Sequence, residues 1–449
     1  MTTFLLTLFL STGYASSVLG PNATDSVANT VALQALINQH TEIVIDGTFY
    51  LDYNTTTRDV KIGPHVTKIV GPGNLLCTLN EIGVGEPAAV FKVFSPSTTE
   101  NHYELSVQGI TISSTAPYAP GMPGFDAFQI VGDGDQRGVK SGVITLSGCD
   151  FSGFRKGVML TTPYANGLRL DIKNSIIEGV DGINAFSSYG DNIAVHVIGS
   201  LIKTRPIIHD GGAAFYAHEF VSVLFLDSTL LNVGSIKPRR LFQHQSTEAT
   251  NPNLADYLII DNCVFNSSLC PAIYGSEGVP LQIRNSLINA EFGVLLAGNP
   301  LYMENCQIYS TKDGVSYYAS SDSADYIVDI RDTYIQSQST IGALVRGNAS
   351  KWFFNGCTFD NCSISAITPS PYIKVEGSQF RKHLSGSSPL VQYFITSVGR
   401  VDGLNNTYVG KTFYNCTKRA SGFEYAPADA LWQPTTQQTK HLGALVVTP

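Results

Sequence analysis

"IIDNCVF" fills residues 259–265, "YMENCQI" 302–308 and "FFNGCTF" 353–359. Each runs from alternating apolar residues into a polar or glycine turn, then a small residue, then an apolar residue two further on. With the turn residue as zero, the outline recurs at Gly148, Asn174, Gly199, Asp227, Asn262, Asn285, Asn305, Asp332, Gly356, Gly377 and Asn405. The spacing averages about 26 residues, a period that signals stacked repeats rather than separate globular domains. Position +1 is small throughout (Cys149, Ser175, Ser200, Ser228, Cys263, Ser286, Cys306, Thr333, Cys357, Ser378). Position +3 is large and apolar, as in Phe151, Ile177, Phe265, Ile308 and Phe359. Positions −4 and −2 are apolar too, for example Leu258 and Ile260 or Trp352 and Phe354. Period two on both sides of a turn predicts strand, turn, strand.

One such unit cannot bury its own apolar face, so the units must stack. A third strand follows at "GVML" (157–160), "GINAF" (182–186), "GVLLA" (293–297), "GVSYY" (314–318) and "GALVR" (342–346), with the residue after each glycine pointing inward. Three short strands and three turns per repeat make a coil of parallel strands whose rungs lie about 4.8 Å apart. This all-β solenoid resembles the right-handed parallel β-helix of the pectin-lyase-like superfamily over residues 142–416. "TVALQALINQH" (30–40) resembles that group's capping helix, with Val31, Leu33, Leu36 and Ile37 on one face, and lies inside a lid of residues 26–40. A helix there covers the open strand edges at the end of the coil. The expected organisation is one β-helix domain over 21–449, with rungs over 41–416 and a C-terminal cap over 417–449. Residues 1–20, which carry "FLLTLFL" without a preceding Lys or Arg, read as a signal peptide or as an apolar N-terminal segment.

The cysteines follow from the same geometry. Cys149, Cys263, Cys306 and Cys357 occupy the +1 column as small buried hydrophobes. Members two rungs apart are separated by about 9.6 Å, beyond the roughly 7 Å that a disulfide spans. They are expected to be free thiols without metal.

Composition excludes some functions. The chain has 449 residues, 14% of them charged, and a formal net charge of −8. A nucleic-acid surface needs clustered Lys and Arg, and no segment other than the N-terminus approaches the run of about 18 apolar residues of a membrane span. The interior of such a coil is filled, so chemistry belongs on its outer face, where long loops interrupt the rungs. Three loops do so beside the third strand: "KTRPIIHDGG" (203–212), "GSIKPRR" (234–240) and "QSTEATNPNLAD" (245–256). The outward positions of that strand are expected to include Met159, Asn184, Phe186, Tyr216, Phe242, His244 and Tyr274.

These residues define a candidate site. Asp210, Glu219, Lys237, Arg239, Arg240 and His244 are the candidate catalytic groups. Asn184, Phe186, His209, Tyr216, His218, Phe242 and Tyr274 are candidate substrate contacts, and no metal ligand is assigned. Aromatic faces along a groove suit sugar rings, so the expected partner is a polysaccharide. A lyase needs a Lys or Arg base and a cation against the sugar's acid group, with Ca²⁺ as the cofactor if carboxylates hold it. A hydrolase needs two carboxylates about the bond; Asp181, Asp191, Asp210 and Glu219 are available. The Asp-Asp pair of polygalacturonases and the Arg motif of pectate lyases do not occur here. Three functions compete: a lyase or hydrolase of an acidic polysaccharide, a non-catalytic glycan-binding adhesin, and a tailspike-type virion protein. The first two imply a secreted or periplasmic location, the third a virion. The oligomeric state is left open.

Overall fold

The computed structural model describes the chain apart from residues 1–8, 12–13, 20–25, 55–56, 80–87, 121, 123, 133–137, 164, 188–192, 210, 246–254, 277–278, 318–325, 340, 347–349, 367–370, 382–394, 410–412, 420–430, 433–445 and 449. It forms two compact units, residues 1–243 with 251–256, and residues 244–250 with 257–449. Both are built in the same way. Each strand pairs in parallel with the strand one rung later, in three rows. In the first unit the first row includes His102–Ser114, Ser141–Ser147, Leu168–Lys173, Ile193–Ile198 and Val221–Leu226. In the second unit it includes Leu258–Asp261, Leu281–Arg284, Leu301–Glu304, Ile327–Arg331 and Lys351–Asn355.

The repeat outline corresponds to a backbone constraint. Every zero-column residue sits in the left-handed region, from φ 46° at Asp332 to φ 64° at Gly356. Gly, Asn and Asp enter that region at least cost, which is why only these three types occur there. The next residue is held by a ladder along the coil. The amide of Cys149 donates to the Ser175 hydroxyl at 3.1 Å, that of Ser175 to Ser200 at 3.1 Å and that of Ser200 to Ser228 at 3.2 Å. In the second unit Cys263 donates to Ser286 and Cys357 to Ser378, both at 3.1 Å. Each Ser hydroxyl in turn donates to the carbonyl two residues before it, as Ser175 does to Lys173 at 2.8 Å. Where the next rung carries Ser, Thr or Asn at this position, the buried turn amide is thus paired.

The +3 column fills the core. Phe151, Ile177, Phe265, Ile308 and Phe359 are fully buried, and Phe359 stacks on Phe380 one rung on at 4.8 Å and 7°. The column begins earlier than the small +1 residues reveal. Gly109 has φ 63°, followed by buried Ile110 and Ile112.

Helix α1 spans Ser26–Gln39 and buries Leu33, Leu36 and Ile37, but Val31 is 54% exposed. The face expected to hold Val31 carries Asn29 and Thr30 instead. These spend their polar atoms on the strand Gly47–Tyr53: Asn29 Nδ2 donates to the Tyr50 carbonyl at 3.0 Å, and the Asp52 amide donates to Thr30 Oγ1 at 3.0 Å. An edge strand covered by a helix needs partners for its backbone as well as apolar contact. Upstream, Tyr14–Leu19 pairs in parallel with Glu42–Ile45 and antiparallel with Phe9–Ser11; the start of the expected N-terminal segment, residues 1–8, lies outside the described residues.

Cys77, Cys149, Cys263, Cys270, Cys306, Cys357 and Cys362 are buried free thiols. Burial pushes the Cys306 thiol up to about 11 and that of Cys357 to about 12, which keeps both protonated and unreactive. Cys416 has no described side chain. Native protein should therefore label slowly at Cys263 and Cys306 and fully once denatured; rapid native labelling would contradict the packing. A second test addresses the turn column. A Cβ at Gly356 meets Asp332 Oδ1 at 2.3 Å, whereas one at Gly377 meets nothing nearer than 4.0 Å. Gly377→Ala should cost about 1–2 kcal/mol from the left-handed backbone alone, and Gly356→Ala distinctly more in the same urea titration.

Candidate active site

The site lies in the first unit, where the chain turns from the second strand of a rung into the third. This corner is tight in two successive rungs. The strand Asp150–Thr161 runs through it with a bulge between Phe151 and Phe154, and Ile176–Ser187 follows the same course. On either side the corner is long. In the rung before, residues 115–124 separate the strands His102–Ser114 and Phe125–Val131, and the Tyr118 amide donates back to the Gly153 carbonyl at 3.0 Å. In the rung after, residues 205–212 separate Leu201–Thr204 from Ala213–Glu219. That loop is pinned at both ends to the second tight corner: the Arg205 amide donates to Gly179 O at 2.8 Å, Thr204 Oγ1 to Val180 O at 2.6 Å, and the Ala213 amide to Asp181 Oδ1 at 2.9 Å. The next corner, 233–239, packs on it, with the Arg239 amide donating to Gly212 O at 2.9 Å. The surface over the two tight corners, flanked by the long ones, is the candidate trough.

Its floor is charged. Lys156 pairs in register with Asp126 in the rung before and with Asp181 in the rung after, so the backbones of three ionisable residues stand in line about 4.8 Å apart. Asp126 is fully buried and fully engaged. Arg155 Nε donates to its Oδ1 at 3.0 Å, Arg155 Nη2 to its Oδ2 at 2.8 Å, and Gln129 Nε2 to Oδ2 at 2.8 Å. Asp181 accepts from Ala213 and, at 3.5 Å, from Asn184 Nδ2. The Lys156 amine makes no salt bridge to either carboxylate; its recorded contact is Met159 Sδ at 3.7 Å.

Burial lowers the Lys156 pKa, and the two neighbouring carboxylates only partly offset it. Burial raises the Asp181 pKa, opposed by Lys156 and by the bonds from Ala213 and Asn184. A lysine brought down and an aspartic acid brought up, side by side, exchange protons nearer neutrality than either does in water.

One face of the third strand adjoins this line. Asn184 pairs with Met159 and with Tyr216, and Phe186 pairs with His218. The His218 ring stacks on Phe186 at 4.9 Å and 27° and lies 6.2 Å from the Tyr216 ring. Asn184, Phe186, Tyr216 and His218 are thus brought together as one surface.

The remaining candidates are placed as follows. His209 is exposed on the 205–212 loop, Arg239 is exposed, and Lys237 is half-buried. Arg240 is half-buried and donates through Nη1 to Gln243 Oε1 at 2.9 Å. Tyr274 lies in the second unit, on Ile273–Ser276, and is half-buried. Asp210, Asp191 and most of the 245–256 loop lie outside the described residues, as does the Glu219 side chain. Phe242 and His244 were expected outside but are fully buried. Phe242 stacks on Phe215 at 5.2 Å and meets Phe225 edge-on at 5.8 Å. Burying such a ring gains about 1.5–3 kcal/mol, which sets the phase of that strand; His244, two residues on, shares the inward face. No glycine precedes "LFQHQ" to mark its register.

Sequence reasoning missed Asp126, Arg155 and Lys156. Charged residues just before the third strand in successive rungs (Lys156 before Gly157, Asp181 before Gly182) were the available signal. Among the described residues no group of three or more His, Cys, Asp or Glu converges to hold a metal. The described carboxylates, Asp126 and Asp181, do not fit a Ca²⁺ site, since Asp126 is taken up by Arg155 and Gln129.

A family model described as "Right handed beta helix region" matches residues 244–380. The chain is a right-handed parallel β-helix. It is similar to several solved structures. One is a periplasmic alginate epimerase, at 8% identity over 82% of this chain and 76% of that one, with a TM-score of 0.31. A second is a surface adhesin of Streptococcus pneumoniae, at 10% identity over 87% and 88%, with a TM-score of 0.40. A third is a tailspike protein of bacteriophage CBA120, at 11% identity over 96% of this chain but 61% of that one, with a TM-score of 0.34. No curated protein matches the sequence. Among the described residues no helix of this β-helix is long and apolar enough to cross a membrane.

Burial and charge at Asp181 have a measurable consequence. A carboxyl whose folded pKa is raised contributes stability that is fully present below its unfolded value and lost as pH rises through the folded value. The stability difference between wild type and Asp181→Asn should therefore shift against wild type as pH climbs from 3.8, the ordinary value for this group, through the raised folded value. Denaturant titrations across that window test it; a pH-independent difference would deny the shift.

Proposed function

We propose that the trough of the first unit is the active site of an enzyme that cleaves an acidic polysaccharide by β-elimination. The observation that carries this reading is the in-register pair of Lys156 and Asp181, one rung apart on the trough floor, each with its pKa displaced toward neutrality. In the proposed reaction the neutral Lys156 amine removes the proton from C5 of a uronate. The C5–H electron pair becomes the C4=C5 double bond, the C4–O4 bond breaks, and protonated Asp181 delivers its proton to O4. One proton has then moved from sugar to lysine and one from aspartic acid to product. Lys156 then loses its proton to solvent and Asp181 regains one from solvent, which resets the site.

The substrate carboxylate needs a cation, and Arg239, exposed on a loop bonded to Gly212, stands next to the Ala213 anchor of Asp181. Asn184, Tyr216, Phe186 and His218 supply polar and aromatic contacts for the neighbouring sugar. Lys237, Arg240 and His209 are further substrate contacts in this reading; Asp210 and the Glu219 side chain lie outside the described residues. The reading places the protein outside the cytoplasm, secreted or periplasmic, or on a virion that must penetrate such a polymer.

Incubation with a panel of uronate-containing polysaccharides, followed by ultraviolet absorbance of the unsaturated product, tests the proposal. Lys156→Ala and Asp181→Asn should each slow turnover by about 10²–10⁴-fold, the usual worth of one acid–base group, while the protein stays folded by circular dichroism. New reducing ends without ultraviolet absorbance would mean hydrolysis instead, with Asp181 as the acid. Binding without turnover, weakened by Tyr216→Ala but not by Lys156→Ala, would replace the enzyme with a glycan-binding module.

A further inference from the structure

The second unit carries a groove that the reading above does not use. It runs along the outer face of the second row of strands, between the strand surface and the corners that follow it, and encloses about 250 Å³. Its floor is one outward column. Asn266, Asn289, Tyr309 and Gln336 pair in register through four successive rungs. Thr311 and Gln338, just past the strands, form one side. None of the lining residues is charged.

Three features distinguish this column from an ordinary solvated face. Among the described residues the side-chain amides of Asn266, Asn289 and Gln336 have no hydrogen-bond partner, although amides one rung apart do bond elsewhere in this unit: Asn305 Nδ2 donates to Asn285 Oδ1 at 2.8 Å. Their donors and acceptors are left available along a line. Tyr309 is 37% exposed among these amides, with its ring 5.5 Å from that of Tyr334 and its hydroxyl 3.4 Å from Gln307 Oε1, so an aromatic face is held at the centre of the groove. Finally, the rung spacing of about 4.8 Å is close to the advance of one pyranose along an extended glycan, so successive sugars meet successive amides.

We propose that this groove binds a neutral oligosaccharide, with Tyr309 stacking on one pyranose and the flanking amides bonding the hydroxyls of its neighbours. The ligand class follows from the lining. Amides and hydroxyls both donate and accept, as sugar hydroxyls do, and no cation is present to compensate a uronate, sulfate or phosphate that loses its water. A flat aromatic ring with a few placed polar groups is the usual composition of a small-ligand site. The inference is independent of the trough chemistry, since every residue it names lies in the second unit.

Full-length protein should be titrated with cellohexaose, maltohexaose and xylohexaose as probes and with hexagalacturonate as the charged comparison, following tyrosine fluorescence and heat. At least one neutral hexasaccharide should bind, and Tyr309→Ala or Asn289→Ala should weaken it about tenfold or more, equivalent to about 1.4 kcal/mol. Asp181→Asn should leave this binding unchanged. The variants replace exposed or half-exposed side chains, and unchanged circular dichroism will confirm that the fold persists. Failure of every neutral probe to bind overturns the proposal, as does binding that Tyr309→Ala and Asn289→Ala leave intact. Preference for hexagalacturonate at this column would overturn the ligand class. Loss of turnover in the trough variants with the groove intact, or the reverse, separates the two readings.

Discussion

The structure depends on one backbone requirement, a residue at φ near +50° to +60° once per rung, followed by an amide that must find a partner inside the coil. The left-handed residue turns the chain without a loop. The amide after it donates along the stack to the hydroxyl or amide oxygen of the next rung. Together they hold the register, and register decides everything on the outside. A slip of one residue would send Phe151, Ile177 and Ile202 to solvent and the outward charges to the core. The cysteines take their meaning from the same requirement. Their amides donate as a serine's would, and their thiols fill the small volume inside the turn without a metal or a bridge.

Much of this was legible in the residues. Asn, Asp and Gly are the types that tolerate the left-handed region, so their recurrence exposed the turn column. The alternating apolar residues around it exposed two strands. Where a marker was lacking, the reading failed in specific ways. The rung beginning at Gly109 has Ile110 in place of a small residue, so the column appeared to begin only at Gly148. That concealed the long connection at 115–124, next to the candidate site. The strand Arg240–Gln245 has no glycine to set its phase, so Phe242 and His244 were assigned to the wrong face. In the helix, Val31 looked like a core residue because apolar character was weighed without asking what an uncovered strand edge needs. Asn29 and Thr30 meet that need through bonds that no hydropathy pattern encodes.

The candidate site was harder to read for a related reason. Loop length pointed to the corner at residues 203–212, and Asn184, Phe186, Tyr216 and His218 share one surface on the strand that follows. The ionisable groups on the trough floor sit on tight corners, however, where the chain looks like plain repeat. Asp126, Lys156 and Asp181 are dozens of residues apart and become neighbours only through parallel register. A long loop is visible in one dimension; a line of charges across three rungs is not.

Why Lys156 and Asp181 do not simply collapse into a salt bridge is answered by what surrounds them. Asp126 already holds the Arg155 guanidinium in two bonds and the Gln129 amide in a third. Asp181 is tied to the Ala213 amide, and Ala213 is fixed by the loop pinned at Gly179 and Val180. Neither carboxylate turns toward the amine without giving up these bonds, Asp126 those from Arg155 and Gln129 and Asp181 that from the Ala213 amide. The lysine loses water without gaining the partner that would restore its charge, which drives its pKa down. Asp181 keeps too few donors to offset its own burial, which drives its pKa up. A flexible surface would relax this arrangement into an ion pair of little consequence. A rigid coil preserves it, with the amine lowered and the carboxyl raised from their ordinary values.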